Sequence, residues 1–283
     1  ETAETVIQNT AQAGSFTGFE NHGDLSIPGT AAGNRLTISN AAAIGAFIGL
    51  QNTAAVALAG NMSITNSGSF STFTGISNDG NNKSGSLKQT AGTVTISNTG
   101  TGEGIVGIRN LAGTADANGF EQSGGEIQFV NNGASSGTVV GIENSGSFLS
   151  GASLTINNNN NGTADVFSAV VNNTGATAVF ADGASLDSSN KAAVTSYIGI
   201  ANSGTLSVET VSADSLLNFG NSGAVTNYFG IANSGSFTAA GQAKFDNSGS
   251  STVLEQYIGV SNSGTFTSQD GAAFEFSNSV SAS

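Results

Sequence analysis

Hydrophobic and polar positions alternate in short runs along this chain, and the runs recur. One phrase appears nine times: a small residue, an apolar residue, any residue, then asparagine. It reads Gly18-Phe19-Glu20-Asn21 at its first occurrence and Gly49-Leu50-Gln51-Asn52 at its second. The later copies end on Asn78, Asn110, Asn144, Asn172, Asn202, Asn233 and Asn262. Eight steps separate Asn21 from Asn262, a period of about 30 residues, within the range of stacked-repeat architectures. A second phrase follows each of these: apolar, any, apolar, any, asparagine. Its asparagine comes soonest between Asn52 and Asn66, and latest between Asn110 and Asn131. Leu36-Thr37-Ile38-Ser39-Asn40 and Val94-Thr95-Ile96-Ser97-Asn98 are clear copies, and Leu186-Asp187-Ser188-Ser189-Asn190 is a degenerate one. Both phrases have a period of two, which is a strand signal and does not fit a helical stripe. A third apolar position usually follows the first phrase, as at Leu25, Val56, Phe148, Leu206, Phe237 and Phe266.

Two or three short strands per period cannot bury an apolar face alone, but stacked copies can. The pattern therefore predicts an all-β fold, a parallel β-helix (β-solenoid) of about nine coils, right-handed. Residues 1–14 read as an N-terminal strand that caps the stack or is donated to a neighbour, and 15–283 as a single domain. The variable step length is expected between the second phrase and the next first phrase. Repeated asparagines fit the corners of such a coil, because the residue tolerates left-handed backbone. Their amides also donate and accept, so like side chains one coil apart can bond in a ladder. Glycines two residues on, such as Gly146, Gly204, Gly235 and Gly264, are expected to supply positive φ.

A row of large residues lies two positions before the small residue of the first phrase. It runs Phe16, Phe47, Phe73, Ile105, Val139, Phe167, Tyr197, Tyr228, Tyr257. Strict alternation would turn it outward, as a stripe for a partner protein, a neighbouring subunit or a stacked glycan. A bend at the glycine would instead turn it into the core. Both readings stay open at this point.

Composition then removes several functions. The chain has 6 Lys+Arg against 19 Asp+Glu, a formal charge of −13. That leaves no cationic footprint for nucleic acid and no polybasic patch for an anionic membrane. With no cysteine and one histidine, His22, thiolate chemistry and multi-histidine metal sites are absent. Charged residues are 9% and hydrophobic ones 37%, with a single proline, a balance that can build a core. The most apolar window, 41–60, contains Gln51, Asn52 and Thr53 and obeys the repeat, so it reads as a coil and not as direct membrane insertion. Glu1 reads as a processed or excised end.

Candidate chemistry is thin. The acids are scattered and the basic residues (Arg35, Lys83, Lys88, Arg109, Lys191, Lys244) fall on different repeats. The paired carboxylates of a glycosidase or a base beside a cation are not evident, so the chain reads as non-enzymatic, with no cofactor. Asp182, Asp187, Glu209 and Asp214 form the best acidic cluster, read as solvated charge with a calcium site as the alternative. An outward threonine row at Thr37, Thr95 and Thr155 breaks down in the second half, against an ice-binding face.

The stacked Asn-Ser-Gly phrases, missing cysteine and scarce lysine and arginine resemble the passenger domains of bacterial autotransporters and related secreted β-helix adhesins. The resemblance covers nearly the whole chain, in style without a diagnostic motif. It implies a secreted or cell-surface, extracellular protein. No C-terminal membrane barrel follows, which points to an excised passenger or another secretion route. A β-helix is open at its ends, where unpaired backbone invites edge pairing. The segment Thr5, Val6, Ile7 at one end and Phe274 and Phe276 at the other are candidate interfaces. The leading expectation is thus self-assembly, head to tail, into a filament or matrix fibre, with the N-terminal strand adding to a neighbour's edge. The alternative is a monomeric adhesin that binds a host protein or a glycan, and a polysaccharide-active enzyme ranks third.

Overall fold

The computed structural model describes residues 4–29, 34–79, 86–114, 117–160, 162–209, 216–249 and 254–280. These contain strands and no helix. The strands assemble into three parallel sheets that together wind as a β-solenoid. Sheet I has ten strands, from Thr5–Asn9 to Ala273–Asn278, and holds every copy of the second phrase. Sheet II has nine, from Ala13–Asn21 to Gln256–Asn262, and holds the first phrase. Sheet III also has nine, from Leu25–Ile27 to Thr265–Ser268, and holds the third apolar position. Each strand pairs in register with its copy one coil away, so Asn202 lies over Asn233 and Ile200 over Ile231. Neighbouring coils are thus about 4.8 Å apart, the spacing of hydrogen-bonded strands.

Like residues over like residues make a core of continuous columns. Ile38, Ile64, Ile96, Phe129 and Ile156 stack in sheet I, and all are essentially inaccessible. The aromatic row of sheet II is also a core column. Phe47, Phe73, Phe167, Tyr197 and Tyr228 are buried, and the Tyr197 and Tyr228 rings stack with centroids 4.9 Å apart. The exposed-stripe reading of Tyr197 and Tyr228 is therefore corrected. Strict alternation fails at the intervening glycine, where the strand bends and places Tyr197, Gly199, Ile200 and Asn202 all inside. A Cβ on Gly199 would sit 2.6 Å from the Gly230 carbonyl oxygen and 3.1 Å from the Phe219 ring. The bend thus needs a residue with no side chain.

Two other expectations also change. Gly146, Gly204, Gly235 and Gly264 are not among the positive-φ glycines, which are 92, 113, 125, 175, 183 and 271. They serve close approach instead: a Cβ on Gly235 or Gly264 would come within 2.1 Å of the backbone oxygen of the coil below. Nor does the variable length fall where expected. The path from a sheet I asparagine to the next of sheet II is nearly constant, from Asn40 to Asn52 in a typical coil and from Asn247 to Asn262 at the longest. The return to sheet I varies more, from the short span between Asn52 and Asn66 to the long one between Asn110 and Asn131. The insertions sit around sheet III, and one of them forms the small hairpin Gly113–Thr114 with Ala117–Asn118.

Candidate functional site: the ladders, the open end coils and an outer groove

Both asparagine rows are ladders, and both have a direction. Asn21, Asn52, Asn78, Asn110, Asn144, Asn172, Asn202, Asn233 and Asn262 are joined by eight amide bonds of 2.6–2.8 Å. The second ladder starts one rung earlier, at Asn9, and runs to Asn278 through nine bonds of 2.7–2.9 Å. In all of them Nδ2 of the earlier residue donates to Oδ1 of the later one. The backbone fixes that sense. Asn52 Nδ2 donates to the Ala54 carbonyl at 2.8 Å, while its Oδ1 accepts the Ala54 amide at 3.2 Å. A flipped amide would face both backbone groups with the wrong atom.

In the last coil described, Asn262 and Asn278 donate Nδ2 to carbonyls of their own turns, Gly264 and Val280. Asn21 presents Oδ1 at the opposite face. The end coils also leave apolar columns half covered: Ile7, Phe16, Phe19 and Leu25 at one end, and Tyr257, Phe266, Phe274 and Phe276 at the other, are only partly buried. Val6 is 60% exposed and Val260 36%, the most open large apolar side chains among the described residues. Thr5 is exposed as well. The interface candidates Thr5, Val6, Ile7, Phe274 and Phe276 thus lie on the open coils. Tyr257 joins them, its hydroxyl donating to the Ser277 carbonyl at 2.9 Å.

The acidic cluster does not converge. Asp182 lies in a turn, Asp187 is exposed on the strand Ser185–Asn190 and accepts from Asn218 Nδ2 at 3.0 Å, and Glu209 is exposed after Thr205–Val208. Asp214 lies outside the described residues. Among the described residues no three acids or histidines form a metal-holding group, so Asp182, Asp187 and Glu209 make none between them. The charges instead pair between coils: Arg109 with Glu143 at 2.8 Å, Lys88 with Glu121 at 2.9 Å and Lys244 with Glu275 at 3.6 Å. Each pair occupies equivalent positions in successive repeats, the signal by which sequence reading could have found them. Being partly exposed, they contribute at most about 1 kcal/mol each.

Sequence reading also missed an outer groove. The residue after the aromatic column, Thr74, Val106, Val140, Ser168, Ile198 and Phe229 in successive coils, faces outward. The bend makes that outer face concave, so Val106 and Val140 are only 9% and 8% exposed. They line a groove of about 390 Å³ flanked by the Arg109–Glu143 pair.

The tyrosines show how a degenerate repeat is accommodated. Ser188 occupies the core column that Ile156 and Phe219 occupy in adjacent coils. Burial pushes the Tyr197 phenol well above its ordinary value, with the Ser188 hydroxyl acting in the opposite sense. The two oxygens do not close a hydrogen bond of standard geometry, and Tyr228 Oη has no partner either. Burial, then the neighbouring Tyr197 and Tyr257 phenols, raise Tyr228 likewise.

The fold defines a parallel β-solenoid repeat protein with two asparagine ladders. No family model, curated protein or solved structure matches the chain.

Proposed function

We propose that this chain is a non-enzymatic, extracellular structural protein whose copies associate end to end into a filament or matrix fibre. The observation that carries the reading is that every rung of both ladders runs in one sense over in-register columns, an arrangement that a further copy of the chain can continue. One end offers asparagine donors and the other an acceptor, in the same sense as every internal rung. Partly buried Phe276, Tyr257 and Phe266 lie in the same columns as Ile7, Phe16 and Leu25, which are partly buried as well. Such a contact is heterologous and does not close on itself, so it propagates. The chain carries few charges to repel its copies, and stacked strands need no cysteine.

A second reading rests on the outer groove. A monomeric surface adhesin would hold an extended glycan or a protein segment along Val106 and Val140, with Arg109 and Glu143 supplying polar contacts. One set of measurements separates the two readings. Sedimentation and electron microscopy over a wide concentration range should show linear particles of constant width with a meridional spacing near about 4.8 Å. A chain that stays monomeric at the highest concentration, yet binds a glycan or host-protein panel, would replace the filament with the adhesin.

A further inference from the structure

The outer face of sheet II carries a relief that changes along the axis. In the column after the aromatic row, Thr74, Val106, Val140 and Ser168 lie sunk, each no more than 9% exposed. The next two members, Ile198 and Phe229, are larger and only half-buried. The neighbouring column changes in the opposite sense. Beside the sunken stretch it holds Arg109 and Glu143, and beside the raised stretch Ala201 and Ala232. One half of the face is thus a groove with a high lip, and the other a ridge with a low one.

Charge is distributed just as unevenly. The chain carries −13 overall. In the three outward columns that pass through Thr138, Val140 and Glu143, from Thr72 to Ala232, the charged residues are Arg109 and Glu143, and these neutralise each other at 2.8 Å. Like-charged copies repel, and over this face the repulsion is least. Glu103, Asp165 and Glu255 are exposed on its rim, where salt screens them.

We infer that two copies of this chain pair side by side and antiparallel through this face, the ridge of each seated in the groove of the other. A two-fold axis along the strand Thr163–Asn172 sets Ser168 opposite Ser168 of the second copy and Val171 opposite Val171. The same operation sets Ile198 against Val140 and Phe229 against Val106, while Ala201 and Ala232 leave room for the Glu143 and Arg109 lip. Bulk meets recess on both sides of the axis, the self-complementarity that an isologous contact requires. The groove an adhesin would offer is then filled by Phe229. Seven coils, from Thr74 to Ile258, span about 29 Å along the axis, and the three columns about 17 Å across it. The pair buries about 1,000 Å² in total, at the lower bound for a specific interface. Single chains therefore pair weakly, and copies held in a stack repeat the contact and pair more tightly. An isologous contact closes at two chains, so it is separate from end-to-end association and goes beyond it.

Cross-linking tests this in the full chain, which has no cysteine of its own. Facing sheets lie about 10 Å apart, within reach of a short bis-maleimide. Val171→Cys should be linked into dimers at least tenfold more than Thr155→Cys, which lies on the outer face of sheet I. Copies stacked end to end hold position 171 a whole chain apart and are not linked there. Val106→Phe fills the groove and should cut the linking at least tenfold, and adding Phe229→Val should restore it. Phe229→Ser, a change on the outer face, should cut it as much and serves if Val106→Phe does not fold. Equal linking at 171 and 155, or a swap that fails to restore it while both variants keep the parent urea midpoint, overturns the pairing. So does a chain that stays monomeric and takes a glycan or a peptide into the groove. Single-width filaments without the 171 link overturn the pairing and leave the filament. Linked dimers that never lengthen support the pairing and overturn the filament.

Discussion

Replacing one internal ladder asparagine tests the structural logic most directly, and Asn202 is the best placed. Its Nδ2 donates to Asn233 Oδ1 at 2.7 Å and to the Ser236 carbonyl at 3.0 Å, and its Oδ1 accepts from Asn172 at 2.8 Å. Asn202→Ala removes all three. Asn172 keeps the Thr205 carbonyl at 3.0 Å, but Asn233 Oδ1 loses its donor inside the core. One buried acceptor left unpaired costs about 1–3 kcal/mol, and each lost hydrogen bond about 1 kcal/mol. The expected loss is about 3 kcal/mol. Asn262→Ala removes the same chemistry on an exposed coil, where water substitutes, and should cost about 1 kcal/mol or less.

Asn202→Asp sharpens the test, because a carboxylate cannot donate to Asn233 Oδ1. Burial raises the pKa of the introduced acid above its unfolded value of about 3.9. The folded chain then binds the extra proton over the window between the two values, so stability falls as pH rises through it. Asn202→Asp should therefore approach the parent below about pH 3.9, where the protonated acid donates again, and be worst at neutral pH. Urea unfolding followed by circular dichroism, with the parent measured at each pH, gives the difference. Amide exchange by coil shows whether the loss is local, as a one-dimensional stack requires. Equal costs at Asn202 and Asn262, or an Asn202→Asp deficit that does not change with pH, would refute the ladder as a source of stability.

The buried phenols predict alkaline sensitivity. Tyr197 and Tyr228 keep their protons in the fold, whereas the unfolded chain releases them near 10.0. Their contribution is complete below that value and is lost as pH rises above it, at about 1.4 kcal/mol per pH unit per tyrosine. The double variant Tyr197→Phe with Tyr228→Phe should flatten a urea-midpoint profile measured from pH 9 to 12, and should be no less stable at pH 7, since both hydroxyls lack partners. The glycines predict a contrast. Gly235→Ala forces a Cβ to 2.1 Å from the Gly204 oxygen and should cost more than about 3 kcal/mol. Gly175→Ala meets nothing within 4 Å and bears only its positive φ, at about 1 kcal/mol. Thermal unfolding of the two variants side by side measures the difference.

What could be read from the chain was whatever repeats in a single column. Ile38 over Ile64, or Asn202 over Asn233, is a statement about one position per period, and the spacing carries it directly. The bend at Gly199 is different, because a period-two alternation has no term for a corner. It assigned Tyr197 and Ile200 to opposite faces, and only the backbone path shows that both point inward and that the outer face is left concave. The same limit hid the Val106–Val140 groove and misassigned the work of Gly235, whose constraint comes from the coil beneath it and not from its own φ.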